Sequence, residues 1–473
     1  MSNQEAAEVI ILGAGFSRAL SEHLPLANRL GQLPFDDAKS RDSNLFEGSP
    51  RFSDEYPFEV WLSLLADDQP HLDEGENRLN GARFSKLKES IVRELKQAQT
   101  LALGEADASW LFRLLTVLHR RRSVVITLNY DTLIEVGVLS TYLGSATSVG
   151  GLPPGFDDVI VSSVVGSAKG VVAEDILGGE PPTLVAPRFG NSWSFRLLKL
   201  HGSLDWWSAP HDESGSTLAR EPTLGRFGAP ADRQPPQSLP GREPFVVPPL
   251  ASKSAYYRNP VTRQLWRDAH DALARATRIS IVGYSLPQTD IVMAGMLESA
   301  LAVSQAELEV VNPDAEGVLR RLKALGAPSS GSTLLTSVDG PNCVSDWVDR
   351  VCERASSELP RQIAELRPID RPEAPDPVRV AWSRAGSLTQ WQVRSADLTE
   401  DGLLVLVADP EVLGVSGGSG PTPTQVVSMM GEAKRIVLDA PDGQRVPIVG
   451  FDASHFDNPN NRHILQLVAA GQM

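Results

Sequence analysis

Short, uninterrupted apolar runs set the rhythm of the first two thirds of this chain. Glu8 to Leu12 (EVIIL) is largely β-branched and meets Gly13-Ala14-Gly15 before a helical spacing through Leu20, Leu24 and Leu30, which predicts a strand, a tight turn and a helix. Helical periodicity recurs over 57–65, 84–103 and 107–119, the last running into His119-Arg120-Arg121-Arg122. Ser123 to Leu128 (SVVITL), Arg278 to Val282 (RISIV) and Glu307 to Val311 (ELEVV) predict three further buried strands. Strands apolar throughout and separated by helices predict an α/β fold, a mostly parallel sheet with helices on both faces.

The pattern breaks twice and then changes. Segments rich in Gly and Pro, roughly 144–191 and 208–249, are too long for simple connections and predict a lid or small subdomain. A helix around 343–365 is followed by RPIDRPEAPDPV, Arg367 to Val378, whose prolines and charges predict a linker. From 379 to 473 short alternating or apolar runs (RVAWS, QWQVR, LLVLV, RIVLD, VPIVG) are separated by turn residues, with Asp442-Gly443 as a hairpin signal. The expected organisation is therefore a catalytic domain over 1–345, a helix and Pro-rich linker over 346–378, and a small β-rich domain over 379–473 that serves regulation or assembly. The brief Gly417-Gly418-Ser419-Gly420 stretch reads as a loop.

Composition narrows the classes. Hydrophobic residues make up 41% and charged residues 22%, as in a soluble globular protein with a large core. A formal net charge of -15 repels a phosphate backbone, so no direct nucleic-acid contact is expected. Two cysteines, Cys343 and Cys352, are too few for a disulfide framework or a four-cysteine zinc site, and no metal is expected. Met1 to Glu8 is polar and acidic, and no run of roughly 18 apolar residues occurs, which gives a cytoplasmic, membrane-free expectation.

Candidate chemistry gathers at strand ends. Gly13, Ala14, Gly15 and Ser17 suit a turn whose amides approach a pyrophosphate at a helix N-terminus, although Arg18 stands where the dinucleotide fingerprint has its third glycine, and a plain strand-to-helix turn reads equally well. Thr127-Leu128-Asn129-Tyr130-Asp131 closes the second strand; Thr132 with Glu135 fits a helix capping box, to which Asp131 could add, but capping has no use for Asn129, whose amide both donates and accepts. Leu200-His201-Gly202-Ser203-Leu204-Asp205-Trp206 follows the apolar run 195–200 and reads as a histidine before a flexible turn, structural or proton-accepting, with Trp206 and Trp207 as pocket wall or core. Gly283-Tyr284-Ser285-Leu286-Pro287 and Val311-Asn312-Pro313-Asp314 follow two more strands, placing small or hydrogen-bonding residues on one sheet edge.

In this order, GAGFS, TLNYD, LHGSLDW, GYSLPQTD and VVNPD resemble the sirtuin-like family, particularly its bacterial antiphage-defence branch, over roughly 8–330. The resemblance implies a Rossmann-like sheet that binds NAD. It places Gly13, Ala14, Gly15 and Ser17 at the phosphates and ribose, Asn129 and Asp131 by the nicotinamide ribose, and His201 as the catalytic histidine. Gly283 and Ser285 continue the phosphate site and Asn312 the adenosine side; Asp290 falls in a recurring family motif without an assigned role.

The paired CxxC motifs of deacylase sirtuins are missing, and the defence branch without them resembles NAD glycohydrolases. The implied activity is cleavage of NAD to nicotinamide and ADP-ribose, with Asn129 positioning water and His201 accepting its proton. An NAD-dependent deacylase and a non-catalytic NAD or ADP-ribose sensor are the alternatives. The same resemblance implies an abortive-infection role, silent until released by homo-oligomerisation or by a partner such as a HerA-like ATPase or, second in order, a short Argonaute.

Overall fold

The computed structural model describes residues 8–47, 52–53, 56–121, 123–137, 195–210, 212, 218–220, 225–234, 238–251, 253, 256–258, 260–326, 335–363, 378–384, 387–410, 420–441, 443–452 and 466–469. The chain opens with β1 (Glu8–Leu12), followed by α1 (Ala14–Leu20), α2 (Ala27–Arg41), α3 (Phe58–Ala66), α4 (Glu74–Glu105) and α5 (Ser109–Arg121). Next come β2 (Val124–Thr127), β3 (Arg196–Lys199), β4 (Gly202–Ser208), β5 (Ala219–Arg220) and β6 (Glu243–Val246). Then α6 (Pro260–Arg275), β7 (Arg278–Val282), α7 (Ile291–Leu301), β8 (Glu307–Val311), α8 (Ala315–Ala324) and β9 (Leu335–Val338) lead into a long helix, α9 (Cys343–Ile363). The C-terminal part holds β10 (Arg379–Arg384), β11 (Ser387–Leu398), β12 (Leu403–Pro410), α10 (Pro423–Glu432), β13 (Arg435–Asp439), β14 (Arg445–Asp452) and β15 (Gln466–Ala469).

Six of these strands form one parallel sheet in the order β3-β2-β1-β7-β8-β9. The α/β expectation therefore holds, and so does the placing of the four flagged strand ends, because parallel strands put every C-terminal end on the same edge. In register, Ile11 of β1 faces both Ile126 and Ile281, and Val9, Ile10, Ile11 and Leu12 are at most 1% exposed. Each such side chain stabilises the fold by roughly 1.5–3 kcal/mol relative to exposure. Successive strands lie to one side of β1 in β2 and β3, and to the other in β7, β8 and β9, so the topology reverses between β1 and β7, where sheets of this kind open a crevice.

Several local readings change. Strand β3 falls on the apolar run before His201, and β9 adds a short edge strand that the sequence pattern does not suggest. The segment after His201 is no flexible turn: Gly202–Ser208 is a buried strand, paired antiparallel with β5 and β6. Its Asp205 accepts from Ser203 at 2.5 Å, so these two polar side chains are buried with a hydrogen bond between them, while Trp206 and Trp207 are buried too. The lid expected over 144–191 lies outside the described residues, whereas most of the 208–249 stretch is described and supplies β5 and β6, which with β4 form a small three-stranded sheet.

Beyond the sheet, β10 to β15 close a six-stranded barrel, which is the expected β-rich part. The β10–β15 and β12–β13 pairs are parallel and the others antiparallel; β13 and β14 form the hairpin, with Gly443 at φ +83° in its turn. Helix α9 belongs to both parts. Its Val344, Trp347, Val348 and Val351 join the core of the sheet, its Leu359 joins the core of the barrel, and Val449 of β14 reaches back into the first core. The position drawn as a junction, 345, lies in the first turn of this helix.

Buried carboxylates fasten α9 beneath the sheet. Glu8, at the start of β1, pairs with Arg121 at 3.1 Å and Arg354 at 3.5 Å, while Glu309 of β8 accepts from the Trp347 indole at 2.9 Å. Glu8 begins β1, so the Glu8–Arg354 anchor stands at the edge opposite the flagged loops. Among the described residues no helix is long and apolar enough to cross a membrane.

Candidate functional site

The crevice between β1 and β7 is occupied by backbone. The Gly13 amide donates to the Val282 carbonyl at 3.0 Å and the Gly15 amide to the Gly283 carbonyl at 2.8 Å. A Cβ on Gly13 would stand 2.6 Å from the Tyr284 Cα, and one on Gly283, which sits at φ +64°, would stand 2.1 Å from the Phe16 nitrogen. The two loops thus require glycine of one another, and this close approach accounts for these residues without a ligand. It also commits the Gly13 and Gly15 amides. Ala14 is part-exposed at the start of α1, whose first turn contains no acidic residue.

Three of the flagged side chains form one network. Asn129 Nδ2 donates to the Gly13 carbonyl at 2.9 Å and to Ser17 Oγ at 2.8 Å, and Ser17 Oγ in turn donates to Asp131 Oδ2 at 2.7 Å. The sequence separations exceed 110 residues, and only the parallel pairing of β1 with β2 brings them together. With its donors committed, Asn129 presents Oδ1, for which no described residue is a donor. The loop is held from below: Asp131 Oδ1 accepts from the Leu133 amide at 3.3 Å, and the Lys199 ammonium donates to the Asp131 carbonyl.

The expected Thr132–Glu135 capping box does not form. The Thr132 amide donates to Gln99 at 2.7 Å, and Glu135 is paired with Lys199 at 2.9 Å, both side chains almost wholly buried. Asp131 alone caps the helical turn over 133–137. Residues from α4 and β3 thus take the hydrogen bonds that local spacing assigned to a cap.

His201 follows β3 and is 5% exposed. Tyr130 lies nearly parallel to its ring at 6.4 Å and 29°, and Trp266 from α6 packs at 6.3 Å and 42°. Tyr130 is itself fixed by its hydroxyl donating to the Val247 carbonyl at 2.8 Å. The imidazole hydrogen-bonds the backbone of Leu128, one residue before Asn129. Its Nε2 is buried with no partner among the described residues, so Nδ1 carries the proton to the carbonyl and Nε2 keeps its lone pair. Burial and the Lys253 ammonium hold the ring's pKa down at about 3, against the opposing pull of Asp290 and the Leu128 hydrogen bond. The ring is a neutral acceptor near pH 7.

Asp290 acquires surroundings that sequence alone did not give it. It pairs with Lys253 at 3.1 Å, both side chains 8% exposed, and accepts from the Tyr284 hydroxyl at 2.9 Å. Burial pushes its carboxyl up, but the Lys253 charge and the hydrogen bonds from Tyr284 and Lys253 outweigh it and leave the pKa below the ordinary value. The 283–290 loop is further tied to α3, where Glu59 accepts from Thr289. Leu286 in this loop is buried at φ +52°, the one non-glycine residue with positive φ among those described, and a left-handed leucine before a proline is strained by roughly 1–2 kcal/mol.

Two other flagged residues stand differently. Asn312 bridges the β7 and β8 loops, with Nδ2 to the Tyr284 carbonyl at 3.4 Å and Oδ1 accepting from Asp314 at 2.9 Å. Ser285 is exposed. Sequence reasoning passed over Tyr130, Lys199, Lys253, Tyr257, Trp266 and Tyr284 as members of this site. For Tyr130 and Tyr284 the signal was present, since both lie inside motifs already singled out.

An open groove between α6 and α7, lined by Arg263, Arg267, Val292 and Met296, borders the outer side of Trp266. A small cavity lined by His23, Leu30, Glu94 and Leu101 lies between α2 and α4, and carries none of the residues above. Among the described residues no three His, Cys, Asp or Glu side chains gather as a metal site.

No protein-family model matches the chain, and no curated protein matches it. Among solved structures it is similar to one described as "Structural Basis for the Mechanism and Regulation of Sir2 Enzymes", at 12% identity and a TM-score of 0.28, over 74% of this chain and 94% of that one. A likeness of that size carries no argument about chemistry, which rests on the geometry of the strand ends.

Proposed function

We propose that this chain is a sirtuin-like NAD glycohydrolase, cleaving NAD to nicotinamide and ADP-ribose. One observation carries the reading: a neutral imidazole whose buried Nε2 has no partner among the described residues hydrogen-bonds the backbone next to Asn129, whose amide is fixed by Ser17 with its Oδ1 left to accept. The motif order described above supports the same reading.

In this mechanism the bond between the ribose C1′ and the pyridinium nitrogen breaks, and nicotinamide leaves with the electron pair. The Asn129 Oδ1 accepts from the attacking water and orients it towards C1′. As the new C–O bond forms, the water's proton passes to His201 Nε2 and then to solvent. Asp131, held by its hydrogen bond from Ser17, places its carboxylate near the cationic ribose as it develops, which favours the transition state over the ground state. A positioned general base of this kind contributes on the order of 10²–10⁴ in rate.

The test is nicotinamide release from NAD by the full-length protein, alone and with the product of the adjacent gene. His201→Ala and Asn129→Ala should each lower turnover by about 100-fold or more. Turnover retained in both variants, or no cleavage by the parent protein under either condition, overturns the reading. Adding an acyl-lysine peptide separates hydrolysis from the deacylase alternative, which alone yields O-acyl-ADP-ribose. A defence role with activity released by assembly or by a HerA-like or Argonaute-type partner extends the same motif resemblance.

A further inference from the structure

The neutral ring at 201 is not the only buried group left with unused hydrogen-bonding capacity in this corner of the fold. Tyr257 Oη and Trp266 Nε1 are both buried with no partner among the described residues. The two rings meet edge to face at 5.4 Å and 77°, and Trp266 in turn lies 6.3 Å from His201. Two donors and one acceptor without partners thus adjoin one another. Leaving a single such group unpaired is unfavourable, and three in contact ask for a common explanation.

Local structure holds these groups in place. The amides of Tyr256 and Tyr257 both donate to the Lys253 carbonyl, at 3.1 and 3.2 Å, so the turn that bears Tyr257 also bears the ammonium paired with Asp290. Trp266 projects from α6, with its outer side on the groove between α6 and α7. The Tyr257 hydroxyl keeps its proton, because burial and the nearby Asp290 carboxylate both disfavour the phenolate.

We infer that Tyr257 and Trp266 contact substrate, donating from Oη and Nε1 to the vicinal hydroxyls of the ribose whose C1′ bond breaks, while one of those hydroxyls or the adjacent water donates to His201 Nε2. The inference rests on the NAD glycohydrolase reading and names residues that reading does not use. The chemistry selects the ligand group. A phosphate or carboxylate has no proton for Nε2, and an apolar ring satisfies none of the three. A diol beside C1′ offers oxygens to both donors and keeps the reacting carbon next to the imidazole.

The experiment compares the parent with Tyr257→Phe and Trp266→Phe on NAD, on a 2′-deoxyribose analogue of NAD, and on an analogue with an acetyl group in place of the carboxamide. Tyr257→Phe removes one oxygen from an unpaired site, so folding should be kept, and thermal midpoints check this. The expected result is at least a 10-fold loss of kcat/KM on NAD for Tyr257→Phe. That penalty should shrink to less than 3-fold on the deoxy analogue and stay unchanged on the acetyl analogue; Trp266→Phe should follow the same pattern. Equal penalties on NAD and the deoxy analogue, no penalty on NAD, or a penalty abolished on the acetyl analogue would each overturn the assignment. A parent protein that fails to cleave NAD removes the underlying reading instead, and the two failures are told apart by the parent's own rate.

Discussion

Replacing His201 with Gln removes the ionisable ring at the centre of the site, and its effect on stability against pH can be worked from the structure. Burial and the Lys253 charge bring the imidazole from 6.5 to about 3 in the folded protein. In the unfolded chain the ring titrates near its ordinary value, about 6.5. Between those two values the unfolded state binds a proton that the folded state does not, so stability from this group rises with pH. The unfavourable contribution is negligible above about pH 7.5 and grows by roughly 1.4 kcal/mol per unit as pH falls below about 6.5, until the folded value is reached.

From pH 8 to pH 5 that amounts to about 2 kcal/mol. Urea unfolding of the parent and of His201→Gln at pH 8, 6.5 and 5 measures it: the stability difference between the two proteins should move by about 2 kcal/mol in favour of the variant across that range. Curves that stay parallel at all three pH values refute the reasoning, because they would mean the ring titrates alike in both states. The same neutrality has a kinetic counterpart. The acid limb of kcat/KM, which reports the free enzyme, should show no loss near pH 6.5 arising from this base.

Two further perturbations probe the frame around it. Asp290→Asn leaves the buried Lys253 ammonium without its carboxylate and should destabilise the protein by about 3–5 kcal/mol, while the double variant with Lys253→Met recovers most of the loss; urea midpoints that do not differ between single and double variants would contradict the pairing. Gly283→Ala combines a left-handed backbone with a Cβ 2.1 Å from the Phe16 nitrogen, so its cost should exceed the roughly 1–2 kcal/mol of the left-handed conformation alone, read as a lowered thermal midpoint; parental stability would show that the two loops do not meet as described.

Much of the sheet was legible because β1, β2, β7 and β8 are buried on both faces and so read as unbroken apolar runs. Strand β4 was not, since Gly202, Ser203 and Asp205 look like turn residues until their burial and mutual hydrogen bond are seen. Strand β9 is four residues long, too short to stand out as a period. Within the site, Asn129, Asp131, Ser17 and His201 were named from their strand ends, and the structure brings the first three into direct contact. Lys253, Tyr257 and Trp266 carried no local signal. Their meaning comes from packing against residues far away in sequence, such as Asp290 and His201, and a lysine or tryptophan on its own reads as surface or core. The Thr132–Glu135 spacing shows the converse: a valid local rule gave way to Gln99 and Lys199, whose buried partners left it no vacancy.

The shaft formed by α9 has a practical consequence for anyone dissecting this protein. Because Trp347 and Val351 are seated under the sheet while Leu359 is seated in the barrel, and Ser356 Oγ donates to the Ile436 carbonyl at 3.0 Å, neither half can be excised at the helix without baring a greasy flank of the other. A fragment ending near residue 345 would lack the Trp347 and Arg354 partners of Glu309 and Glu8, leaving these two buried carboxylates only Ser280 and Arg121 among the described residues to satisfy them. Helix α9 thus ties the barrel to Glu8, at the start of β1, and to Glu309 of β8, and Glu8 stands at the sheet edge opposite the loop that carries the imidazole.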